Sequence, residues 1–258
     1  MNVGRYTNLK TLDIDFIKPQ SVEFDVQANA IDGGRNLQNE SISAEMSGGG
    51  FVTATYESCY AQQPEEHEYF TWLAAHLNGS FRFINVPLKT DWQGPFPLIE
   101  RRPVPIITKI PHSDSSLFSD GSGYSQATVF ASVLANAAVN AGQISLRVYG
   151  ATRPLRWSDW FSINHNANDG SRGWRAYRNW DILGVSSEGV TNFSGADVAY
   201  RDYVLAIQPT LREAVTAGTR VEFARPRFAA KIAPGQRIST KIQSYWVTRP
   251  TLQFVEAF

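Results

Sequence analysis

Cysteine and net charge are the two features that this chain of 258 residues lacks most clearly. Cys59 is the single cysteine, which excludes an intramolecular disulfide and a zinc site built on cysteines. We expect synthesis in a reducing compartment on this ground. The 24 basic and 24 acidic residues cancel, whereas a general nucleic-acid binder needs a basic surplus to displace counterions. Nucleic acids and anionic membrane surfaces are therefore unsuitable partners.

Long apolar runs are missing as well. No stretch reaches the roughly 20 uninterrupted apolar residues that a helix needs to cross a bilayer, so the sequence predicts no membrane span. The N-terminal segment from Met1 to Phe16 lacks the apolar core of a secretory signal peptide.

Motifs for catalysis and metal binding are also absent. The serine-hydrolase elbow, the Walker loop, the Rossmann fingerprint and the zincin histidine pair find no match. His67 and His76 stand about 13 Å apart along a helix, which is too far for one metal ion. Asn164–Gly170 resembles a calcium loop, but its ligands would be mostly neutral amides and Arg175 stands where a glutamate is needed. A hairpin connection is the favoured interpretation of that segment.

An acidic cluster, Glu65, Glu66 and Glu68, opens a predicted helix. A glycosidase needs two carboxylates that face each other across a cleft, whereas neighbours in a first helical turn point apart and serve the helix dipole. A carboxylate pair brought together from distant parts of the fold stays open. We predict no catalytic, cofactor-binding or metal-binding residue and no enzymatic activity.

The chain does contain many short runs that alternate between apolar and polar residues, as half-buried strands do. LDIDFI and VEFDV predict two early strands, and AIDGGRN is a turn signal. ISAEM and FVTATYESCYA predict a hairpin around the glycines of SGGG. Residues 125–142 predict a strand and a turn, and QISLRVYG predicts the returning strand. VAYRDYVLAIQP, RVEFARPRF, QRISTKIQSYWV and TLQFVEAF continue the pattern, which is typical of a sandwich or barrel.

The sequence predicts one helix over residues 64–78, and signals for both of its ends are present. Proline suits its first turn, and an Asn-Gly pair ends it. Phe70, Leu73 and Leu77 fall at helical spacing and should face the core. A short helical turn is predicted in TLREAVTAG, residues 210–218.

Together these elements predict a mainly β protein of the α+β class with one or two helices. The expected architecture is a β-sandwich or barrel-like domain with an associated subdomain. The proline-rich segment 91–111 is extended and suited at most to an edge strand, so it can separate two units. We predict an N-terminal β-rich subdomain over residues 1–110, with helix 64–78, and a C-terminal sandwich or barrel-like subdomain over residues 111–258.

Residues 152–183 hold four of the seven tryptophans and five arginines. Such a segment can form core, a protein interface that combines aromatics with arginine, or a sugar shelf of coplanar exposed rings. Core packing ranks first, a subunit interface second and sugar binding third. The predicted subunit contacts are Trp157, Trp160, Trp174, Arg175, Tyr177 and Trp180.

The second half also carries a series of ordered short motifs, QISLRVYGATRPLRWSDWFSINH, GWRAYRNWDIL and YVLAIQPTLREAVTAGTRVEF. In this order they resemble the distal tail and tail-hub proteins of long-tailed bacteriophages. The residues that fit the last family pattern are Ile207, Pro209, Leu211, Arg212, Ala214, Gly218, Val221, Phe223 and Pro226. Upstream, YFTWLAAHLNGSFRFINVPL resembles a helix and strand of the family's N-terminal halves. WSDW departs from the family, which commonly has a glycine before the aspartate.

In physical terms, the last motif describes a structural turn. Pro209 stops a strand, Gly218 supplies a positive φ angle, and a return strand follows. Arg212 is predicted to pin this turn through a bidentate pair with a carboxylate.

The resemblance implies a structural virion protein that forms a ring between the tail tube and the tip or receptor-binding machinery. It implies no cofactor, a hexamer as first choice and a trimer as the alternative, with the N-terminal subdomain on the ring-forming side. Tail tube, hub, tip or fibre proteins would be its neighbours. Its place would be the virion tail tip, after synthesis in the host bacterial cytoplasm. The alternative is a carbohydrate-binding, lectin-like module of a phage tail or a secreted β-sandwich protein.

Overall fold

The computed structural model describes residues 9–28, 30–45, 48–165, 173–193, 196–238 and 246–258, and within them the chain is mainly β. Two helices are present in this part, α1 (Ile14–Ile17) and α2 (Pro64–Leu77). In chain order the strands are β1 (Ser21–Gln27), β2 (Ala30–Arg35), β3 (Ser41–Glu45), β4 (Phe51–Glu57), β5 (Ile84–Pro87), β6 (Leu98–Ile99), β7 (Arg102–Pro103), β8 (Ile106–Ile110), β9 (Tyr124–Ala127), β10 (Phe130–Val133), β11 (Gln143–Tyr149), β12 (Trp160–Asn164), β13 (Trp174–Phe193), β14 (Ala196–Gln208), β15 (Arg220–Glu222), β16 (Arg227–Ile232) and β17 (Leu252–Glu256). The predicted fold class is confirmed.

Six antiparallel strands close into a barrel in the order β10-β11-β14-β13-β12-β15. Side chains alternate across each strand, so Ile144, Leu146 and Val148 of β11 point inward and are buried. Phe161 and Phe223 stack inside with ring centroids 5.5 Å apart. The barrel interior is therefore a packed hydrophobic core, as expected for a barrel of few strands.

A second unit is a five-stranded antiparallel sheet with the order β1-β4-β17-β16-β5. Its core contains α2, whose Phe70, Leu73 and Leu77 are fully buried as predicted. Pro64 begins the helix, and Asn78 ends it in the left-handed conformation with φ 46°. The predicted helix is thus confirmed.

The proposed division at residue 110 does not follow these two units. The sheet takes β1, β4 and β5 from the first 110 residues, and β16 and β17 from the end of the chain. The barrel contains β10 to β15, so the chain leaves the sheet, builds the barrel and returns. Leu252 pairs with Tyr56 in the completed sheet, and pairing over such a separation leaves no local mark in the sequence.

Three two-stranded hairpins lie outside both units: β2–β3, β6–β7 and β8–β9. We call the first of them, residues 30–45, the hairpin arm. All six residues of β2 are exposed, and so are residues 41–44 of β3.

Four local predictions are wrong. LDIDFI forms α1, because the Asp13 side chain accepts a hydrogen bond from the Phe16 N–H at 3.1 Å and caps a helix. AIDGGR forms β2 in place of a turn. The predicted β3–β4 hairpin is absent, since β3 pairs with β2 while β4 pairs with β1 and β17. Residues 210–218 form bends, one bridge from Val215 to Ala137 and a tight turn closed by the Thr219 N–H on the Thr216 carbonyl, with no helix.

Candidate subunit interface

The six predicted contact residues divide into buried and accessible side chains. Trp160, Arg175 and Tyr177 are buried inside the chain, so their side chains cannot reach a neighbouring subunit in this conformation. Trp174 is half-buried and packs under the Arg227 guanidinium, 4.2 Å from its ring centroid. Trp157 and Trp180 are 71% and 56% exposed. For the three buried residues, the core interpretation applies.

Trp160 packs where the barrel meets the five-stranded sheet. Its ring makes an edge contact with Phe24 of β1 at 5.6 Å between centroids, and it belongs to the core of the sheet. Tyr177 points into the barrel, where its hydroxyl contacts His165 Nε2 at 2.7 Å and accepts from the Arg212 N–H at 3.1 Å. Burial raises the pKa of Tyr177 well above its usual range, so the hydroxyl stays neutral.

Arg175 and Arg212 converge on one buried carboxylate, Glu256 of β17. Arg175 Nη1 donates to Oε1 at 3.1 Å; Arg212 donates to Oε1 through Nε at 3.2 Å and to Oε2 through Nη2 at 2.9 Å. The N–H of Val52 in β4 donates to Oε2 at 3.1 Å. The network therefore joins the barrel to the sheet through charge-assisted hydrogen bonds.

The segment 209–218 has the predicted strand stop and positive φ angle but, as described above, no helix. The peptide bond before Pro209 is cis, and Gly218 has φ +86°. The Gly218 N–H donates to the Val133 carbonyl at 2.8 Å, which ties the end of the turn to β10. Arg212 forms the bidentate pair, with Glu256 as its carboxylate.

Trp157 and Trp180 lie at the same end of the β12–β13 pair. The Ser158 N–H donates to the Asn179 carbonyl at 2.7 Å, which continues the pairing of those strands beyond Trp160. The turn that carries Trp157 is fixed by the buried Asp159 carboxylate. That carboxylate accepts from both Nη atoms of Arg153, at 3.0 and 2.8 Å, and from the Arg156 N–H at 2.7 Å. A fixed turn that presents an exposed tryptophan suits a contact surface.

The hairpin arm is the accessible feature that sequence reasoning missed. Ile31 pairs with Ala44, and a side chain at Gly33 would touch Ile42, so these four residues share one face of the arm. Ile31 and Ile42 are 53% and 51% exposed, and Leu37 beyond them is fully exposed. The sequence does alternate here, with Ile31 and Gly33 on one strand and Ile42 and Ala44 on the other. The pair Gly33-Gly34 is also a turn signal, so this strand pattern is not recognised from the sequence.

Further exposed apolar side chains lie on β13. Trp180, Leu183, Val185 and Val190 each expose about half of the side chain or more. The β13–β14 ribbon carries three register shifts along its length, between Asn179 and Glu188, and such bulges turn successive side chains toward different sides. Val185 and Val190 pair with Tyr203 and Ala199 and so face the same side as the barrel interior. Trp180 and Leu183, in contrast, are the extra residues of two bulges. The four side chains therefore do not form one surface.

Two kinds of feature are absent among the described residues. In this part of the chain, no three His, Cys, Asp or Glu side chains lie close enough to hold a metal ion. Neither described helix has the length and apolar character that crossing a bilayer requires. The predicted connection at Asp169–Gly170, and most of the run QRISTKIQSYWV, lie outside the described residues.

A scan against protein-family models found no match, and a search of curated proteins found none.

Proposed function

We propose that this chain is a structural subunit of a long-tailed bacteriophage tail. It forms a ring at the distal end, between the tail tube and the tip or receptor-binding machinery. The first choice is a ring of six copies, with three as the alternative, and the subunit catalyses no reaction. Its place is the virion, after synthesis in the host bacterial cytoplasm.

The observation that carries this proposal is the hairpin arm. An isolated two-stranded hairpin is marginally stable in water, yet this one exposes an apolar face outside both folded units. Full burial of one isoleucine or leucine side chain stabilises by about 1.5–3 kcal/mol. In a single subunit about half of that free energy is unrealised at Ile31 and Ile42 and all of it at Leu37, and contact with another chain recovers it.

A second exposed apolar site supports a ring in particular. Ring closure uses heterologous contacts, in which one face of a subunit meets a different face of its neighbour. The arm is one such face, and the end of the β12–β13 pair, which exposes Trp157 and Trp180, is a second. The zero net charge reduces repulsion between copies.

The resemblance to distal tail and hub proteins supplies the phage assignment. The motif residues Pro209, Arg212 and Gly218 belong to a turn that ties the end of β14 to β10 and to the sheet. A turn of this kind positions building blocks and holds no reactive group, which supports a structural role.

The arm can be tested by measuring mass in solution. We expect light scattering on the purified chain to show concentration-dependent assembly that the double variant Leu37→Ser, Ile42→Ser abolishes. Ser43→Ala, on the opposite face of the same strand, is the matched control and should assemble normally. A wild-type chain that stays monomeric alone and with the other tail proteins of its phage would overturn the proposal.

A further inference from the structure

The tip of the β8–β9 hairpin is built from a repeated unit of six residues. His112-Ser113-Asp114, Phe118-Ser119-Asp120 and Tyr124-Ser125-Gln126 each begin with an aromatic ring followed by serine. We call residues 112–124 the aromatic tip. It lies outside the barrel and the sheet, and neither the ring proposal nor the tryptophan segment uses it.

The first two units fold into the same turn. The N–H of His112 donates to the Ser116 carbonyl, and the N–H of Phe118 donates to the Ser122 carbonyl, both at 2.9 Å. In each turn one aspartate oxygen, Oδ1, accepts from the N–H and the hydroxyl of the serine two residues later. These local bonds fix the loop without tertiary packing.

The repeat brings three aromatic rings into one cluster. The centroids of His112, Phe118 and Tyr124 lie 4.8, 4.9 and 5.2 Å apart, with the rings edge to face. Phe118 and Tyr124 nevertheless remain 41% and 52% exposed. The cluster therefore presents fixed aromatic surface to solvent, which lowers the entropy cost of binding.

The polar groups around these rings are hydroxyls and carboxylates. Residues 111–127 contain no lysine or arginine and include Asp114 and Asp120. Each aspartate uses Oδ1 in its own turn, and its Oδ2 makes no hydrogen bond within the described residues. Lys109 lies beside Gly123 at the base of the tip, but the tip itself presents two carboxylates, which disfavour phosphates, nucleic acids and anionic lipids. A neutral ligand with hydroxyl donors fits the chemistry.

The size of the tip separates a small ligand from a protein partner. A stable protein interface takes roughly 20–30 residues on each side, whereas the tip offers one aromatic cluster and two turns. Small-ligand recognition needs apolar surface and a few well-placed polar groups. We propose that the aromatic tip binds a neutral hexose-containing oligosaccharide, whose C–H face lies on Phe118 or Tyr124 and whose hydroxyls donate to Asp114 and Asp120.

The test is saturation-transfer NMR on the full chain with neutral disaccharides of glucose, galactose, mannose and N-acetylglucosamine. We expect at least one sugar to bind wild type, and the double variant Phe118→Ser, Tyr124→Ser to weaken it at least about tenfold, the effect of losing about 1.4 kcal/mol. Trp92→Ser, which removes an exposed tryptophan elsewhere, is the matched control. Circular dichroism verifies that both variants fold.

Three outcomes would overturn the sugar site. The first is that none of the disaccharides binds the wild-type chain. The second is that binding survives in the double variant, which would place the sugar elsewhere. The third is that the double variant changes only the mass of the assembly, which would make the tip a protein contact. Because the arm is untouched by these substitutions, loss of sugar binding with normal assembly separates this inference from the ring proposal.

Discussion

At Glu256, two arginines from the barrel side and one carboxylate from the sheet meet away from water. Glu256 and Arg175 have no exposed side-chain surface, and Arg212 has very little. Both guanidinium groups also lie near the Phe258 ring, at 5.1 and 4.9 Å from its centroid. Removal of one partner from such a network costs far more than the network contributes, because a buried charge is left uncompensated.

Glu256→Gln is therefore expected to lower the free energy of unfolding by about 3–5 kcal/mol. Glutamine retains the shape but removes the negative charge that Arg175 and Arg212 share. Urea denaturation followed by tryptophan fluorescence measures the loss. Glu188→Gln is the control, since Glu188 pairs with Arg201 at the surface and should change little. Equal effects of the two substitutions would contradict a structural role for the buried network.

Glu66 at the start of α2 predicts a dependence on pH. Burial alone would raise its pKa, but hydrogen bonds from the Lys18 ammonium and from the N–H groups of Gln62 and Gln63 outweigh it and lower the pKa to about 2. A folded-state pKa below the unfolded value of 4.5 means that the ionised form stabilises the fold. That contribution is present above pH 4.5 and is lost as the pH falls toward 2.

We expect wild type to be more stable than Glu66→Gln at neutral pH, and the difference to shrink as the pH falls from about 5 to about 2. Denaturation midpoints of the two proteins across this range test it. A difference that stays constant over the whole range would show that the charge of Glu66 does not stabilise the fold.

At this scale the sequence predicts some roles and conceals others. Arg212 lies in a motif with Pro209 and Gly218, so a pinned turn is predictable. Its partner Glu256 lies in another strand far along the chain, and nothing local marks it. Trp157 and Trp160 look equivalent in sequence. One is exposed and the other buried only because the strand begins after the turn that Asp159 holds.

Elements were predictable where their signals are local. Helix α2 has a proline start, an Asn-Gly end and apolar residues at helical spacing, and all three signals agree. The short run LDIDFI fits a strand of period two and a capped helical turn equally well. The hydrogen bond from the Phe16 N–H to the Asp13 side chain favours the helix. Strands β3 and β4 alternate well, but the pattern cannot show that β4 pairs with β1 and β17.

The root of the hairpin arm is tightly constrained at Gly50. Its φ angle is +96°, and a Cβ atom there would lie 2.2 Å from the Gln27 carbonyl oxygen, where β1 and β4 pair. Gly34, within the arm, has φ +80° but nothing within 4 Å of such a Cβ atom. Both glycines have a left-handed backbone, but only Gly50 lacks room for a Cβ atom.

Gly34→Ala should cost about 1 kcal/mol, the penalty of a left-handed backbone alone. Gly50→Ala should cost clearly more, because β1 and β4 must separate where Gln27 pairs with Phe51. Urea denaturation of both variants supplies the comparison. If they lose the same stability, the close approach at Gly50 has no energetic consequence.

In the whole molecule, the buried contacts join the two folded units, and the exposed apolar side chains are available for contact with other chains. The Glu256 network and Trp160 hold the barrel on the sheet and leave the subunit as one fixed block. The arm, and Trp157 and Trp180 at the end of the β12–β13 pair, remain apolar and accessible on that block. The proposed ring requires a subunit of this kind, which can add copies of itself without refolding.

Hydrogen exchange followed by mass spectrometry tests this division directly. In a dilute subunit the arm amides should exchange fast, because the hairpin contacts neither the barrel nor the sheet as a strand partner. In the assembly, peptides that cover residues 30–45 should become protected. Peptides that cover residues 112–124 should exchange alike in both states, since the aromatic tip is not used for the ring. If instead the tip amides become protected and the exchange of the arm amides is unchanged, the subunit contact lies at the tip. That result would contradict both the ring proposal and the sugar site.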